Sequence, residues 1–209
     1  MPENESDLAA IAEHRLGTAR GLDTFVPAWL GQGIGAGVML DGRLRRGASG
    51  GSGELGFLPV PGTGRLPSRG DGSGGFHGLV SGLAIEEPAA RHGFAGSAEE
   101  CVRAAAEQVG SGRDAGGAVA LPDELADRVV VGIAAPAVIL DPGRVVLGGA
   151  TGRAGGAAPA DRVEARLAEV SPLSTRVPAA TAPGNAILDG AVPTALDAAR
   201  DDLFGGSGR

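Results

Sequence analysis

The run Gly31-Gln32-Gly33-Ile34-Gly35-Ala36-Gly37 lies between two segments that have the composition of β-strands. The first segment is residues 24–30, rich in Phe, Val, Trp and Leu, and the second is residues 33–40. Asp41-Gly42 then predicts a two-residue hairpin turn, because both central positions of that turn need positive φ. Residues 43–46 would return as a short third strand. We therefore predict that the fold opens with an antiparallel meander.

The position of the glycine run decides what it can bind. A dinucleotide-binding fold places its glycines between a strand and a helix, so that the helix N-terminus faces the pyrophosphate. Here a second strand follows the glycines, which is the placement of the phosphate hairpin in actin-like nucleotide folds. A tight β-turn with bulge glycines is an equally good interpretation from the residues alone.

Composition excludes several classes of site. The chain has 209 residues, a mass of 20.5 kDa and 43% hydrophobic residues, which suits one or two domains with a buried core. All 18 basic residues are Arg. The absence of Lys excludes a Walker-type phosphate loop and a Schiff-base lysine enzyme. One Cys and three His exclude a Cys-rich zinc site and a disulfide framework.

Charge and hydropathy also restrict the partners. The net charge is −7 and no basic block is present, which argues against direct nucleic-acid binding by this chain. No apolar run reaches the ~18–20 residues of a membrane span, and the acidic start lacks the features of a signal peptide. We therefore expect a cytoplasmic protein with no membrane partner.

Helical and strand patterns alternate after the meander. Ser97-Ala98-Glu99-Glu100 is a capping box, and the helix that follows would turn Cys101 inward. Pro136 should kink a long apolar helix, and Pro193 should interrupt the last one. The remaining elements are helices at 7–16, 79–87, 98–109, 123–139, 161–170 (with Val163, Leu167 and Val170 inward) and 185–203, a flexible surface loop at 61–75, and a buried strand at 145–147. This order predicts an α/β domain with a mixed sheet.

Segments along essentially the whole chain carry a family resemblance. They are, in chain order, Glu3-Asn4, Leu8-Ala9-Ala10-Ile11-Ala12-Glu13, residues 33–44 (GIGAGVMLDGRL), Arg46-Gly47-Ala48, Gly53-Glu54-Leu55-Gly56, Ile139-Leu140-Asp141-Pro142 and Val145-Val146-Leu147-Gly148-Gly149. Together they resemble the signature of the ROK family (repressor, open reading frame, kinase). The resemblance implies an actin-like, hexokinase-like (ribonuclease H-like) α/β lobe with a mixed sheet.

The family has two lobes around a cleft that binds a sugar and, in its kinases, ATP, and its repressors carry a helix-turn-helix before the first lobe. The resemblance implies that residues 1–20 are a remnant of the first lobe with its hinge helix. Residues 21–209 would be the second, C-terminal lobe. Most of the first lobe and any helix-turn-helix would then be missing from this chain.

Four positions depart from the pattern of the kinases. Glu5 stands where the family has a catalytic Asp, and proton abstraction by such a base depends on sub-ångström placement. Phe57 stands where the kinases place a His, and residues 61–75 lack the cysteines of the family's zinc loop, so we predict no zinc and no other metal. His77 stands where the family has a sugar-binding Glu, and Gln32 where it has a small hydroxyl residue.

The resemblance implies a site with two sides. On the sugar side, Asn4, Glu54 and His77 would bind hydroxyl groups, and Glu5 would replace the catalytic base. On the phosphate and nucleotide side the candidates are Gly31, Gln32, Gly33, Gly35, Gly148 and Gly149. Structural roles remain open for all of them: a solvated acid at a frayed terminus for Glu5, a loop tether for Glu54, a capping or solvated His77 and a simple strand-end turn for Gly148-Gly149. Because Phe57 and Leu58 should be buried, a cleft role for Glu54 is favoured.

Three functions follow from these departures. The first is a non-enzymatic part of a ROK-type transcriptional regulator that binds a sugar or sugar-phosphate effector and forms homo-oligomers, with no cofactor. The second is an ATP-dependent, glucokinase-like sugar kinase that uses Glu5 as its base, with ATP and Mg²⁺. The third is a degenerate, truncated ROK protein without a ligand.

Overall fold

The computed structural model describes residues 4–70, 73–112 and 116–204. The described strands are β1 (Val26–Leu30), β2 (Ile34–Ala36), β3 (Met39–Leu40), β4 (Arg43–Leu44) and β5 (Val145–Gly148). The described helices are α1 (Glu5–Leu16), α2 (His77–Val80), α3 (Gly82–Arg91), α4 (Ala98–Gly110), α5 (Gly116–Leu140), α6 (Gly149–Ala154), α7 (Ala157–Val170) and α8 (Ala186–Phe204), with a 3₁₀ turn at Leu55–Phe57. Glu3 of the family signature, part of the loop 61–75 and the last five residues lie outside the described residues.

The predicted mixed sheet is confirmed. The strand order is β2-β1-β5, with β1 antiparallel to β2 and parallel to β5. Leu30 pairs with Ile34, so the turn Gly31-Gln32-Gly33 joins two antiparallel strands as expected. The buried strand β5 also forms where it was predicted.

The second strand of the predicted meander is not continuous. β2 ends at Ala36, and β3 pairs with β4 in a separate two-stranded ladder around Asp41 and Gly42, which have φ values of 56° and 69°. The ladder β3–β4 is short because β4 is only Arg43–Leu44 rather than residues 43–46. The break lies at Gly37, which packs directly under α1: a Cβ there would lie 2.6 Å from the Cβ of Ala10.

The sheet is the middle of three layers. Val26, Ala28 and Leu30 face a core completed by α2, α5 and α7, whereas Phe25 and Trp29 face alanines of α1 and α8. This division follows from strand geometry, because successive side chains of β1 point to opposite faces. The core between the sheet and α2, α5 and α7 includes the buried side chains of Phe76, Val129, Ile133, Val163 and Leu167.

Three helix predictions need correction. The helix predicted at 79–87 is two helices, α2 and α3, separated at Ser81, whose extended backbone ends one and begins the next. α5 begins at Gly116 rather than 123, because the apolar pattern that marks its buried face starts before Pro122 and Pro122 is accommodated within it. Val170 does not point inward: it is 60% exposed because it lies in the last turn of α7, beyond the contact with α5.

The predicted interruption of the last helix is also wrong. α8 continues through Pro193 because it packs closely on α1: a Cβ at Gly190 would lie 2.0 Å from the carbonyl oxygen of Leu8. Tertiary packing of this kind outweighs one lost backbone hydrogen bond. The capping box is confirmed, since the Ser97 hydroxyl accepts from the Glu100 amide and Glu100 accepts from the Ser97 amide.

Cys101 is buried as expected, and this burial raises the pKa of its thiol. Residues 61–70 and 73–75 form turns without a helix or strand, held at Thr63, whose hydroxyl donates to the carbonyl of Gly74 at 2.8 Å. No helix in the described part of the chain is long and apolar enough to cross a membrane.

Candidate functional site

The glycine turn and the start of α6 approach each other at the end of the sheet. Gly149 has φ of +77°, and a Cβ there would lie 2.3 Å from the carbonyl oxygen of Leu30. A Cβ at Gly31 would lie 3.9 Å from the amide nitrogen of Ala150. Only glycine fits at Gly149, because it combines a left-handed conformation with a direct backbone contact. This contact holds the β1–β2 turn beside the first turn of α6.

A cleft of about 530 Å³ opens next to this contact. Its walls include Trp29, Gly149, Arg153 and Asn185. Arg103 also lines it and forms an ion pair with Glu99. Two guanidinium groups and a partly exposed indole therefore line this cleft at the start of α6.

The glycine run has two different surroundings. Gln32 and Gly33 are exposed, and a Cβ at Gly33 would meet nothing within 4 Å, so a ligand can approach the backbone there. Gly35 instead faces α1, and a Cβ there would lie 3.2 Å from Ser6 Oγ. Gly31 is buried beside Trp29 Nε1. The structure thus gives Gly35 a packing role, while phosphate contacts by Gly31, Gln32, Gly33 and Gly35 stay predictions.

The predicted sugar-side residues belong to three segments that meet along β2. The backbone of Gly35 lies between the first turn of α1 and Gly53, because its Cβ position is 3.2 Å from Ser6 Oγ and 3.7 Å from the Gly53 carbonyl oxygen. The next turn contacts His77, whose Cβ is 3.5 Å from the Cβ position of Gly56. The segments that carry Asn4, Glu54 and His77 therefore meet at the β2 edge of the sheet.

The side chains at this edge differ in exposure. Asn4 is half-buried at the start of α1, and its side chain makes no capping hydrogen bond to that helix. Glu5, in the first helical turn, is exposed. His77 is half-buried at the start of α2. All three project from helix beginnings.

The surroundings of Glu54 differ in part from the prediction. Glu54 is exposed and borders a largely apolar groove of about 510 Å³ with Val38, Phe57 and Ile139. Phe57 was expected to be buried, but it is 41% exposed. The 3₁₀ turn that contains Phe57 directs its side chain to the groove instead of the core. Leu58 is half-buried against the core.

Sequence reasoning missed a buried carboxylate near the site that is held by three hydrogen bonds. Glu13 is 2% exposed and accepts hydrogen bonds from the backbone amides of Ala182 (2.7 Å), Thr18 (2.9 Å) and Thr181 (3.2 Å). It lines a small enclosed cavity together with Ser6 and Trp29. An acid in the last turns of α1, among buried alanines and four residues before Gly17, was the available signal.

A second missed cluster lies away from both sides of the site. Glu124 on α5 binds Arg91 (2.9 Å), His92 (3.0 Å) and Arg128 (2.8 Å). Burial raises the pKa of Glu124, but the hydrogen bonds from His92 and Arg91 and the charge of Arg128 outweigh burial, so that the net pKa lies below the usual range. Arg128 also donates to the carbonyl of Ala84 at 2.6 Å, so the cluster ties α3 to α5. No cluster of three potential metal-ligating side chains occurs among the residues described.

Comparison with known proteins identifies the family. The model of the ROK family matches residues 2–189. The bifunctional enzyme NanE/NanK of Brucella melitensis is 37% identical over 153 residues, which are 73% of this chain and 27% of that protein. The crystal structure of a ROK family glucokinase from Streptomyces griseus in complex with glucose and AMPPNP superposes with a TM-score of 0.71 at 25% identity, covering 92% of this chain and 66% of the glucokinase.

A ROK family transcriptional regulator, a homologue of the E. coli MLC protein, has the same fold. It superposes with a TM-score of 0.67 at 22% identity, covering 92% of this chain and 53% of the regulator. The chain thus spans less than two thirds of the length of each of these relatives. The family match extends over the sheet, the glycine turn and both sides of the site, and the chain belongs to the ROK family.

Proposed function

We propose that this chain binds a small sugar at the edge of the sheet where α1, the Gly53–Gly56 turn and α2 meet, and that it acts as a sugar sensor without turnover. The observation that supports the proposal is that the three segments carrying Asn4, Glu54 and His77 contact one another along β2. The cleft between the glycine turn and α6 is the second part of the site.

The residue types suit a carbohydrate. A carboxylate accepts hydrogen bonds from two neighbouring hydroxyls, an amide both donates and accepts, and an imidazole offers one donor and one acceptor. Glu54 has no ion pair within the described part of the chain, and the Asn4 side chain is not used to cap α1. Both groups are therefore available to a ligand.

The substitutions at the reacting positions favour sensing over catalysis. Glu5 is one methylene longer than the Asp of the family and is exposed at the start of α1. A general base must lie within hydrogen-bond reach of the hydroxyl that it deprotonates. Gln32 and His77 also replace residues of the kinase pattern. Binding needs only the recognising groups, whereas transfer needs all of these positions.

A sugar kinase is the second candidate. Its specific support is the cleft itself, since the open backbone at Gly33 and the guanidinium groups of Arg103 and Arg153 fit the phosphates of a nucleotide. The glucokinase relative was crystallised with glucose and AMPPNP. Bound ATP with Mg²⁺ would supply the phosphoryl group, and Glu5 would take the proton of the attacking sugar hydroxyl.

One set of measurements separates these functions. The protein is titrated with glucose, other hexoses and N-acetylhexosamines while its melting temperature is recorded, with and without ATP and Mg²⁺. A ligand at 100 times its Kd stabilises a protein by about 2.7 kcal/mol, which is easily detected. The sensor predicts a stabilising sugar and no phosphorylated product. The absence of a shift with every sugar would support the degenerate protein and refute both binding proposals.

Variants assign the residues. Glu54→Gln should lower the affinity for the stabilising sugar by about tenfold, because hydrogen bonds to a charged group contribute about 1.5–3 kcal/mol. Glu169→Gln, an exposed acid on α7, is the matched control and should leave affinity unchanged. If product forms, Glu5→Gln decides the mechanism. A rate that survives this change removes Glu5 as the base, and a rate that disappears assigns the base to Glu5.

A further inference from the structure

The carboxylate of Glu13 joins two parts of the molecule that are distant in sequence. Its Oε1 accepts from the amide of Ala182, and its Oε2 accepts from the amides of Thr18 and Thr181. No cation is paired with it among the described residues. Three backbone dipoles therefore balance the charge of a side chain that is 98% buried.

The chain is built around this carboxylate. A Cβ at Gly17 would lie 2.0 Å from Glu13 Oε2, although the backbone of Gly17 has an ordinary negative φ. Arg153 reaches the same segment from α6 and donates to the Ala182 carbonyl at 3.1 Å. The amide and the carbonyl of Ala182 are thus fixed from two different helices.

The two ends of this connection lie on opposite sides of the proposed site. α1 begins at Glu5, next to the sugar-side Asn4, and Glu13 lies two turns further along the same helix. The segment 181–185, which Glu13 holds, contributes Gly184 and Asn185 to the cleft beside the glycine turn. A displacement of α1 on sugar binding would therefore reach the cleft wall through the Glu13 carboxylate, in addition to the packing of Ala9 and Ala12 on Ala182.

We propose that Glu13 is a positioning residue that couples the sugar side of the site to the cleft wall at 181–185. The coupling rests on the proposed sugar binding, but the positioning of 181–185 does not. Glu13 touches neither ligand in this arrangement. It sets the distance between α1 and the segment before α8, so that occupation of one side changes the geometry of the other.

Hydrogen exchange tests the positioning in the free protein. In Glu13→Gln, the amides of Thr181 and Ala182 should exchange at least about tenfold faster, since one charge-assisted acceptor is lost, while the amide of Val146 in the core stays protected. Gly17→Ala should give the same pattern, because its methyl group displaces the carboxylate without removing it. Glu169→Gln and Gly110→Ala, which have no such contact, are the matched controls. Unchanged exchange at 181 and 182 in Glu13→Gln would overturn the proposal.

Tryptophan fluorescence tests the coupling. Trp29 is the only tryptophan of the chain and packs against Ala182 and Ala186. A saturating sugar from the melting experiment, glucose first, should change its emission and slow exchange at 181–185 in the wild type. Both responses should be clearly weaker in Glu13→Gln and Gly17→Ala even at saturation, an outcome that a purely stabilising residue would not produce.

The failures of the two proposals are distinguishable. If no sugar stabilises the wild type, the proposed function fails, and the exchange data of the free protein still decide the positioning. If the wild type binds sugar and the Glu13→Gln protein, folded and saturated, shows the same emission and exchange changes, the coupling is refuted and sugar binding stands.

Discussion

The two faces of the sheet are packed in different ways. On the face covered by α1 and α8 and at the adjoining end of the sheet where α6 begins, which we together call the glycine face, the backbones approach each other directly at Gly37, Gly149 and Gly190. On the face covered by α2, α5 and α7, the aliphatic face, larger side chains such as Phe76 and Ile133 fill the space. The cleft beside Trp29 and Gly149 borders the glycine face, whereas His77 on α2 and the groove at Glu54 lie on the side of the aliphatic face.

This difference has an energetic consequence. Backbone atoms in contact have no rotamers through which they could relax, whereas aliphatic side chains partly repack around a change in volume. The surface of the aliphatic face is tied by ion pairs such as Arg162–Asp123 and Arg166–Asp127, which are partly exposed and contribute little. The glycine face should therefore tolerate added atoms much less than the aliphatic face tolerates lost ones.

Gly149→Ala is expected to have the largest effect. The substitution combines a left-handed backbone with a methyl group 2.3 Å from the Leu30 carbonyl oxygen. These two penalties should lower the free energy of unfolding by about 3 kcal/mol or more, measured by urea denaturation. Gly93→Ala is the control, since Gly93 has φ of +85° but nothing within 4 Å of its Cβ position, so only about 1 kcal/mol is expected. Equal losses in the two variants would show that the close approach at Gly149 does not matter.

Gly37→Ala isolates packing from backbone conformation. Gly37 has no positive φ, but an added methyl group would meet the Cβ of Ala10 at 2.6 Å and the Ser6 carbonyl oxygen at 2.9 Å. Overpacking of this kind should lower the free energy of unfolding by about 2 kcal/mol, measured by urea denaturation. Gly33→Ala, with open space around it, should change stability by less than about 0.5 kcal/mol. Ala10→Gly removes the contact with the Cβ of Ala10 and should therefore recover part of the lost free energy of unfolding in the Gly37→Ala protein. No recovery would show that this contact is not the cause of the loss.

The sequence predicts those parts of the fold that local chemistry controls. The Asp41-Gly42 turn, the Ser97 capping box and the strand β5 depend on residues within a few positions of each other, and all three are confirmed. The mixed sheet could be predicted from the order of strand and helix patterns. The ROK fold could be predicted from motifs that occur in order along essentially the whole chain. The break of the second strand at Gly37 could not be predicted, because its cause is a contact with α1 from a separate part of the chain.

Long-range contacts also explain what was missed at the site. Glu13 accepts hydrogen bonds from amides that lie 168 and 169 positions away in the sequence, and no local sequence pattern predicts such partners. Phe57 and Val170 are exposed because apolar character alone does not say which side of a turn or helix end faces the core. The roles of Asn4, Glu54 and His77 remain predictions that the convergence along β2 supports.

Ile133→Val tests the aliphatic face by removing one methylene group. Ile133 is fully buried on α5, and neighbouring side chains of the core can move into part of the space. The free energy of unfolding, measured by urea denaturation, should fall by about 1 kcal/mol. It should be smaller than the loss in Gly37→Ala, which adds a single methyl group on the other face. The reverse order would mean that both faces respond to volume in the same way.

The pH dependence of the Glu124 cluster should be the smallest effect. Because the pKa of Glu124 is lowered in the folded protein, the ionised form contributes stability above the ordinary pKa of a glutamate, about 4.3, and this contribution is lost as the pH falls through the lower folded value. Glu124 is 28% exposed and Arg91 is 52% exposed, so solvent weakens the pairs and the contribution should stay below about 1 kcal/mol. The difference in urea midpoint between the wild type and Glu124→Gln should be smaller at pH 3.5 than at pH 7, while Glu169→Gln follows the wild type at both. If the gap between wild type and Glu124→Gln instead persists at pH 3.5, the cluster stabilises the aliphatic face by packing rather than by charge, and both faces depend on shape alone.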